Sequence, residues 1–275
     1  MLRLSLFSLL TLALVSCASK PMVPYTTDAA PQVLLPVSRA GIDDQRGRFR
    51  EIACAVLEEH GRDMPRYRPC EAALVRLGED PAGTGRPDNL GTAQRRLLAG
   101  FVPGVGWECI ENWMNYQNEF DEHVSQFGYD TYIFEVDGLS STENNARQIS
   151  DAIIGHAGEI EPHSLVLVGY SKGAPDILTA VVEYPEIHPY IAAVVSVAGA
   201  VGGSPLAYEA TQGQLDLLRF VPDAKCSQGD GGALASLLPS VRHRWLHENP
   251  LPGGFPYYSL VTYPLPDRIS AVLSS

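Results

Sequence analysis

Positive charge is scarce in this 275-residue chain: 20 Lys plus Arg stand against 32 Asp plus Glu, a formal net charge of -12. A phosphate backbone needs a basic face, so this balance excludes nucleic acid as a partner, and beyond that it means chiefly solubility. No Cys/His spacing suits a zinc site, and nothing in the sequence calls for a metal or a cofactor. No internal repeat is evident, which excludes solenoid architectures. The N-terminal apolar run, Leu4 to Val15, is too short to cross a bilayer as a mature helix. It reads instead as the core of a cleaved export signal, with Arg3 supplying the short positive region before it.

That signal ends in Leu14-Val15-Ser16-Cys17, which resembles the lipobox of bacterial lipoproteins. The resemblance implies cleavage before Cys17, thioether lipidation of Cys17, and anchorage by acyl chains. Ala18, rather than Asp, after the cysteine resembles the outer-membrane sorting pattern. The expected location is therefore the cell envelope, on the bacterial outer membrane facing the periplasm. Apart from Cys17 there are four cysteines, Cys54, Cys70, Cys109 and Cys226, an even number in an oxidising compartment. Two disulfides then allow three pairings. Proximity favours Cys54 with Cys70, which leaves Cys109 with Cys226.

Four regions follow from composition and period. Residues 1–17 are the signal, and 18–43 are a Pro-, Ser- and Thr-containing tether with no sustained period. Residues 44–95 form a helical N-terminal extension, broken around Pro65 and Pro69 and closed by a Gly- and Pro-rich loop. From 96 to 275 strands alternate with helices. Strands are predicted over 96–102, 129–136, 164–169, 191–198 and 257–263, and helices over 109–127, 142–157 and from the Ser171 corner to Tyr184. Ala146, Ile149, Ile153 and Ile154 are expected on one buried helix face. The order implies an α/β fold with a mostly parallel sheet and helices on its faces. Between about 203 and 256 the pattern loosens into short amphipathic pieces, where a lid or substrate cap would sit.

The most telling segment is the apolar run Leu165 to Val168, which breaks into Gly169-Tyr170-Ser171-Lys172-Gly173 and then into a helix. A serine at such a strand-to-helix corner stands up from the sheet edge, where its hydroxyl can attack a carbonyl. Glycines two residues either side let strand and helix pack around the strained turn. Pro175 and Asp176 suit a first helical turn, the carboxylate favouring the dipole.

The element order and the elbow resemble the α/β-hydrolase fold, specifically a lipase- or esterase-like branch of bacterial lipoproteins. The likeness rests on Phe101 to Trp107, Leu165 to Gly173, and Val194 to Ser204. It implies Ser171 as nucleophile, forming an acyl-enzyme that water cleaves, with an ester-bearing small molecule or lipid as partner. It also implies an oxyanion hole from the N–H of Lys172 and an N–H in Pro103-Gly104-Val105-Gly106, here that of Val105. Only the backbone of Lys172 enters this role, so its side chain reads as a solvated lysine.

The relatives' order is Ser, then Asp or Glu, then His after the final strand. Past the strand predicted to end at Tyr263 only residues 264–275 remain, too few for another strand, helix and histidine loop, so the core is expected either to be C-terminally incomplete, with the carboxylate and histidine beyond Ser275, or to depart from the family. His243 and His247 read as surface or lid packing. Asp267 stands in an acid-like position between prolines, and Asp137 reads as a turn or cap residue. Two further readings stay open: acyl transfer or thioester cleavage through the same elbow, and an inactive α/β-hydrolase-fold lipoprotein that binds a ligand or partner.

Overall fold

A computed structural model of the chain describes residues 42–63, 67–74, 76, 81–87, 91–114, 124–220, 224 and 226–262. The signal, Cys17, residues 18–41 of the tether, His123 and Asp267 lie outside them.

The extension holds one substantial helix, α1 (Arg46–His60), and a short helical turn, Cys70–Ala73. The Cys54–Cys70 disulfide joins them, as the proximity of the two cysteines predicts. Polar bonds then pin α1 to the loop that follows. Glu51 accepts the Gly85 N–H at 2.7 Å and the Thr84 hydroxyl at 2.9 Å. Arg48 donates to the carbonyls of Arg86 and Pro87.

Beyond the extension run β1 (Leu97–Val102), α2 (Trp107–Met114), β2 (Tyr129–Ile133), α3 (Thr142–Gly155), β3 (Leu165–Tyr170), α4 (Gly173–Glu183), β4 (Ile191–Val197), α5 (Pro239–Glu248) and β5 (Tyr257–Leu260). Every strand pair is parallel, and the sheet order is β2-β1-β3-β4-β5. β3 therefore sits at the centre, with Leu165 and Leu167 fully buried. α4 packs on β1, β3 and β4 and against α3, burying Ile177, Ala180 and Val181. α3 starts where Ser141 accepts the Asn144 N–H, a side-chain cap that satisfies one orphan donor. Its inward stripe is Ala146, Ile149 and Ile153, each isoleucine contributing about 1.5–3 kcal/mol of burial. Ile154 departs from the expected stripe and is 42% exposed, because the residue after Ile153 is turned by a further 100° around the helix.

Other departures are of boundary. The second strand ends at Ile133 rather than Val136, and the last at Leu260 rather than Tyr263, which is not a described residue. The helix after β1 begins at Trp107, two residues early. The segment between β4 and β5 forms short pieces: Leu206–Glu209, Gln212–Asp216 with a Thr211/Gln214 capping box, and Ala233–Ser236. The last of these pieces stays separate from α5 because Pro239 opens that helix as its first turn.

Candidate active site

The strained corner predicted at Ser171 is present. Ser171 lies at φ +52°, in the left-handed region that costs a non-glycine residue strain and marks a nucleophile elbow. Its two flanking glycines are required by space. A Cβ on Gly169 would stand 2.6 Å from backbone atoms of Ala174, and one on Gly173 would collide with the Val102 carbonyl oxygen. Strand and helix approach that closely only because both positions lack side chains.

The exit of β4 fixes the corner from the other side. The Ser171 N–H donates to the Val197 carbonyl at 3.1 Å, and the Ala200 N–H donates to the Ser171 carbonyl at 3.0 Å. Ala198, between them, is itself at φ +45°, and its N–H donates to Leu260 of β5. Both backbone polar groups of the strained serine are thus satisfied, and its half-buried side chain stands at the C-terminal edge of the sheet.

The loop after β1 arrives at the same place. A Cβ on Gly104 would stand 2.9 Å from Ser171 Cβ and 3.4 Å from Oγ, so only glycine lets this turn sit against the serine. Val105 follows, then Gly106 at φ +65°, and the Trp107 N–H closes the turn onto the Gly104 carbonyl. Among the described residues, neither the Val105 N–H nor the Lys172 N–H donates to a protein acceptor. The two donors expected of an oxyanion hole are therefore unspent, on loops flanking Ser171.

The side chain of Lys172 is a correction. The sequence reading made it solvated; it is 1% exposed. Its ammonium donates to both carboxylate oxygens of Asp176 at 2.8 Å, and Asp176, 0% exposed, also accepts the Asn145 amide of α3 at 2.8 Å. Burial pushes the Asp176 carboxyl above the ordinary range, while the Lys172 ammonium and the Asn145 bond pull the other way. The physical reason for the correction is that α4 is buried through its whole first half, leaving position 172 no route to water. The i,i+4 spacing of lysine and aspartate on so apolar a helix was the available signal.

His243 and His247 lie exposed on α5, with the His243 ring beside Gly202. His156, His163 and His188 pair with backbone carbonyls of Ala152, Ile191 and Val181. None of the described histidines hydrogen-bonds Ser171. Asp137 acts as the loop residue expected of it: its carboxylate accepts from Ser140, Asn144, Gln148 and Ser227.

Ser227 belongs to a segment sewn onto the site's rim. The Cys109–Cys226 disulfide ties it to α2, directly after the Gly104–Gly106 turn. Ser227 N–H donates to Glu108, while Asp230 accepts the Ser141 N–H at 2.7 Å. Leu218 reaches over Gly106. A cavity of about 260 Å³ lies at the opposite, N-terminal ends of β1, β2 and β3, between Leu98, Tyr132, His156 and Leu165. No group of three or more His, Cys, Asp or Glu side chains is arranged for a metal among the described residues.

The chain is similar to the crystal structure of the metagenomic carboxyl esterase MGS0156, at 36% identity and a TM-score of 0.76. That match covers 93% of this chain and 77% of the esterase. The mature form of the Bacillus licheniformis lipase BlEst2 matches at 18% identity and a TM-score of 0.46, over 62% of this chain and 67% of the lipase, too distant to carry any argument. No protein-family model and no curated protein matches the chain.

Proposed function

This chain belongs to the α/β-hydrolase family, with the carboxyl esterases, and from that premise we propose that it is a serine hydrolase of carboxylic esters acting through Ser171. The observation that carries the proposal is the constrained corner itself: a serine at φ +52°, held through both backbone groups, with the glycine turn of Gly104 packed against its side chain. In the proposed reaction Ser171 Oγ adds to the ester carbonyl carbon and gives up its proton to a base. The carbonyl oxygen becomes an oxyanion received by the Val105 and Lys172 N–H groups, and the alcohol leaves on collapse. Water then releases the acid from the acyl-enzyme. No described histidine hydrogen-bonds Ser171, and Asp267 is not among the described residues.

The test is turnover of p-nitrophenyl butyrate together with fluorophosphonate labelling of the purified chain. Turnover, and an adduct located at Ser171, are the expected results, with Ser171→Ala losing at least about 10³-fold of the activity while melting as the parent does. A mutant that keeps its turnover overturns the assignment. The absence of a histidine bond to Ser171 among the described residues favours a second reading, an inactive fold that binds an ester-bearing ligand. A folded chain that neither labels nor turns over any ester would establish that reading instead.

We also propose that Cys17 is lipidated and anchors the enzyme to the outer membrane facing the periplasm, the lipobox-like Leu14 to Cys17 supporting it. Cys17→Ala should then move the protein from the membrane to the soluble fraction; continued membrane association would contradict the anchor.

A further inference from the structure

The chain has three lysines, and the one next to the candidate nucleophile is sealed from solvent. A surface lysine and aspartate four apart on a helix contribute a few tenths of a kcal/mol and need no explanation. A fully buried pair does, because taking both charges out of water offsets most or all of their attraction, and an apolar pair of similar volume is as stable or more so. Stability therefore does not account for Lys172 and Asp176, and their position offers another reason. Lys172 carries one of the two N–H groups that donate to no protein acceptor among the described residues and that are proposed to receive the oxyanion. Asp176 sits in the first turn of α4, and Asn145 comes from α3, so the chain of bonds runs from the elbow peptide to a second helix.

We infer that Lys172, Asp176 and Asn145 form a buried polar clamp that orients the peptide between Ser171 and Lys172, and with it the oxyanion-binding N–H. This rests on the reading of Ser171 as nucleophile. The hydrogen bonds to Val197 and Ala200 hold Ser171 itself, but neither acts on the Lys172 N–H. The clamp does, by fixing the side chain of the same residue in one geometry: both carboxylate oxygens take the ammonium, and the Asn145 amide holds the carboxylate from the opposite helix. The carboxylate neutralises the ammonium, so the clamp contributes orientation rather than net positive charge. The side chains of these three are positioning groups; of the three residues only Lys172 meets the reacting atoms, and it does so through its backbone N–H.

The decisive variant removes both charges together, Lys172→Met with Asp176→Leu, so that neither member of the pair is left buried without the other. It should fold and melt near the parent temperature. Its kcat on p-nitrophenyl butyrate should fall roughly 10- to 100-fold, since a misaligned oxyanion donor acts on the transition state. KM should stay within about threefold, as ground-state binding does not use that N–H. Asn145→Ala, which removes only the outer bond, should lower kcat by roughly three- to tenfold with the same KM. It also keeps the idea open to refutation if the double variant fails to fold. In either folded variant, amide exchange should quicken locally at Ser171 to Gly173. Parent-like kcat in a folded variant would overturn the clamp. If the parent itself turns over no ester, the hydrolase reading fails on its own terms. The clamp then stands or falls on amide exchange at Ser171 to Gly173, with unchanged exchange refuting it.

Discussion

The core and the helical extension are each built around one disulfide and one network of charged side chains, yet the two networks have opposite character. Behind the elbow, Lys172 and Asp176 are 1% and 0% exposed, bonded to each other and to Asn145, with the Arg242 guanidinium also acting on the carboxylate. On α1, the side chains of Arg48 and Glu51 keep 15% and 24% of their exposure and spend their bonds on loop backbone groups. The first arrangement is costly to break from one side, because a single deletion strands a buried charge. The second is cheap to break, because water replaces whatever is lost. A chain that places the costly arrangement beside its nucleophile and the cheap one on its appendage is spending rigidity where geometry decides chemistry.

The disulfides give the sharpest test of that contrast. Cys109–Cys226 closes 117 residues and Cys54–Cys70 closes 16. In the chain-entropy account, removing the first by Cys109→Ser with Cys226→Ser costs about 4–5 kcal/mol, and removing the second about 3. The core variant should melt roughly 10 °C lower and lose esterase activity, because Cys226 anchors the rim beside the Gly104–Gly106 turn. The extension variant, Cys54→Ser with Cys70→Ser, should keep its kcat. Equal loss of activity in both would show that extension and core act as one unit and would dissolve the comparison.

Next in size is the single change Lys172→Met, which strands Asp176 and should cost about 3–5 kcal/mol at neutral pH. The sign of its pH dependence is fixed. A stranded buried carboxyl has a folded-state pKa raised above its unfolded value, so the folded variant is favoured by protonation. Its deficit relative to the parent should shrink as pH falls toward the ordinary carboxylate range and grow as pH rises out of it. Thermal melts from pH 4 to 8 measure this; a deficit independent of pH would mean that Asp176 finds another partner or water.

The elbow was legible because its signals are local. An apolar run, two glycines flanking a serine and a following helix start are all consecutive, and the steric need for Gly169 and Gly173 is a property of that one turn. The parallel sheet was legible for the same reason, since each strand and helix carries its own period. What escaped was set by tertiary packing. Whether Lys172 reaches water depends on α3 and on the depth of α4, neither of which is encoded near residue 172. Ile154 escaped by one position of helical phase, and the ends of β2 and β5 by where partner strands stop pairing. The cysteine pairing was recoverable because closeness in sequence settled one bridge and elimination the other. The base for Ser171 was not recoverable from the motif, and no described histidine hydrogen-bonds the serine.

The smallest expected effect belongs to the exposed network. The Gly85 N–H and the backbone and hydroxyl of Thr84, with Arg48, hold the Glu51 carboxyl down to about 2, against 4.5 for the free side chain. A depressed folded-state pKa stabilises the folded state above the unfolded value and loses that contribution as pH falls through the folded one. The extension should therefore loosen between about pH 4.5 and 2, and Glu51→Gln should flatten that limb while changing little at pH 7. Proteolysis at the 81–87 loop, followed against pH in parent and variant, reads this directly, because the loop is what Glu51 holds. Esterase activity at neutral pH should be the same in both. If Glu51→Gln instead lowers kcat, the extension is coupled to the elbow, and a partly buried network on α1 shapes the chemistry at Ser171 together with the clamp.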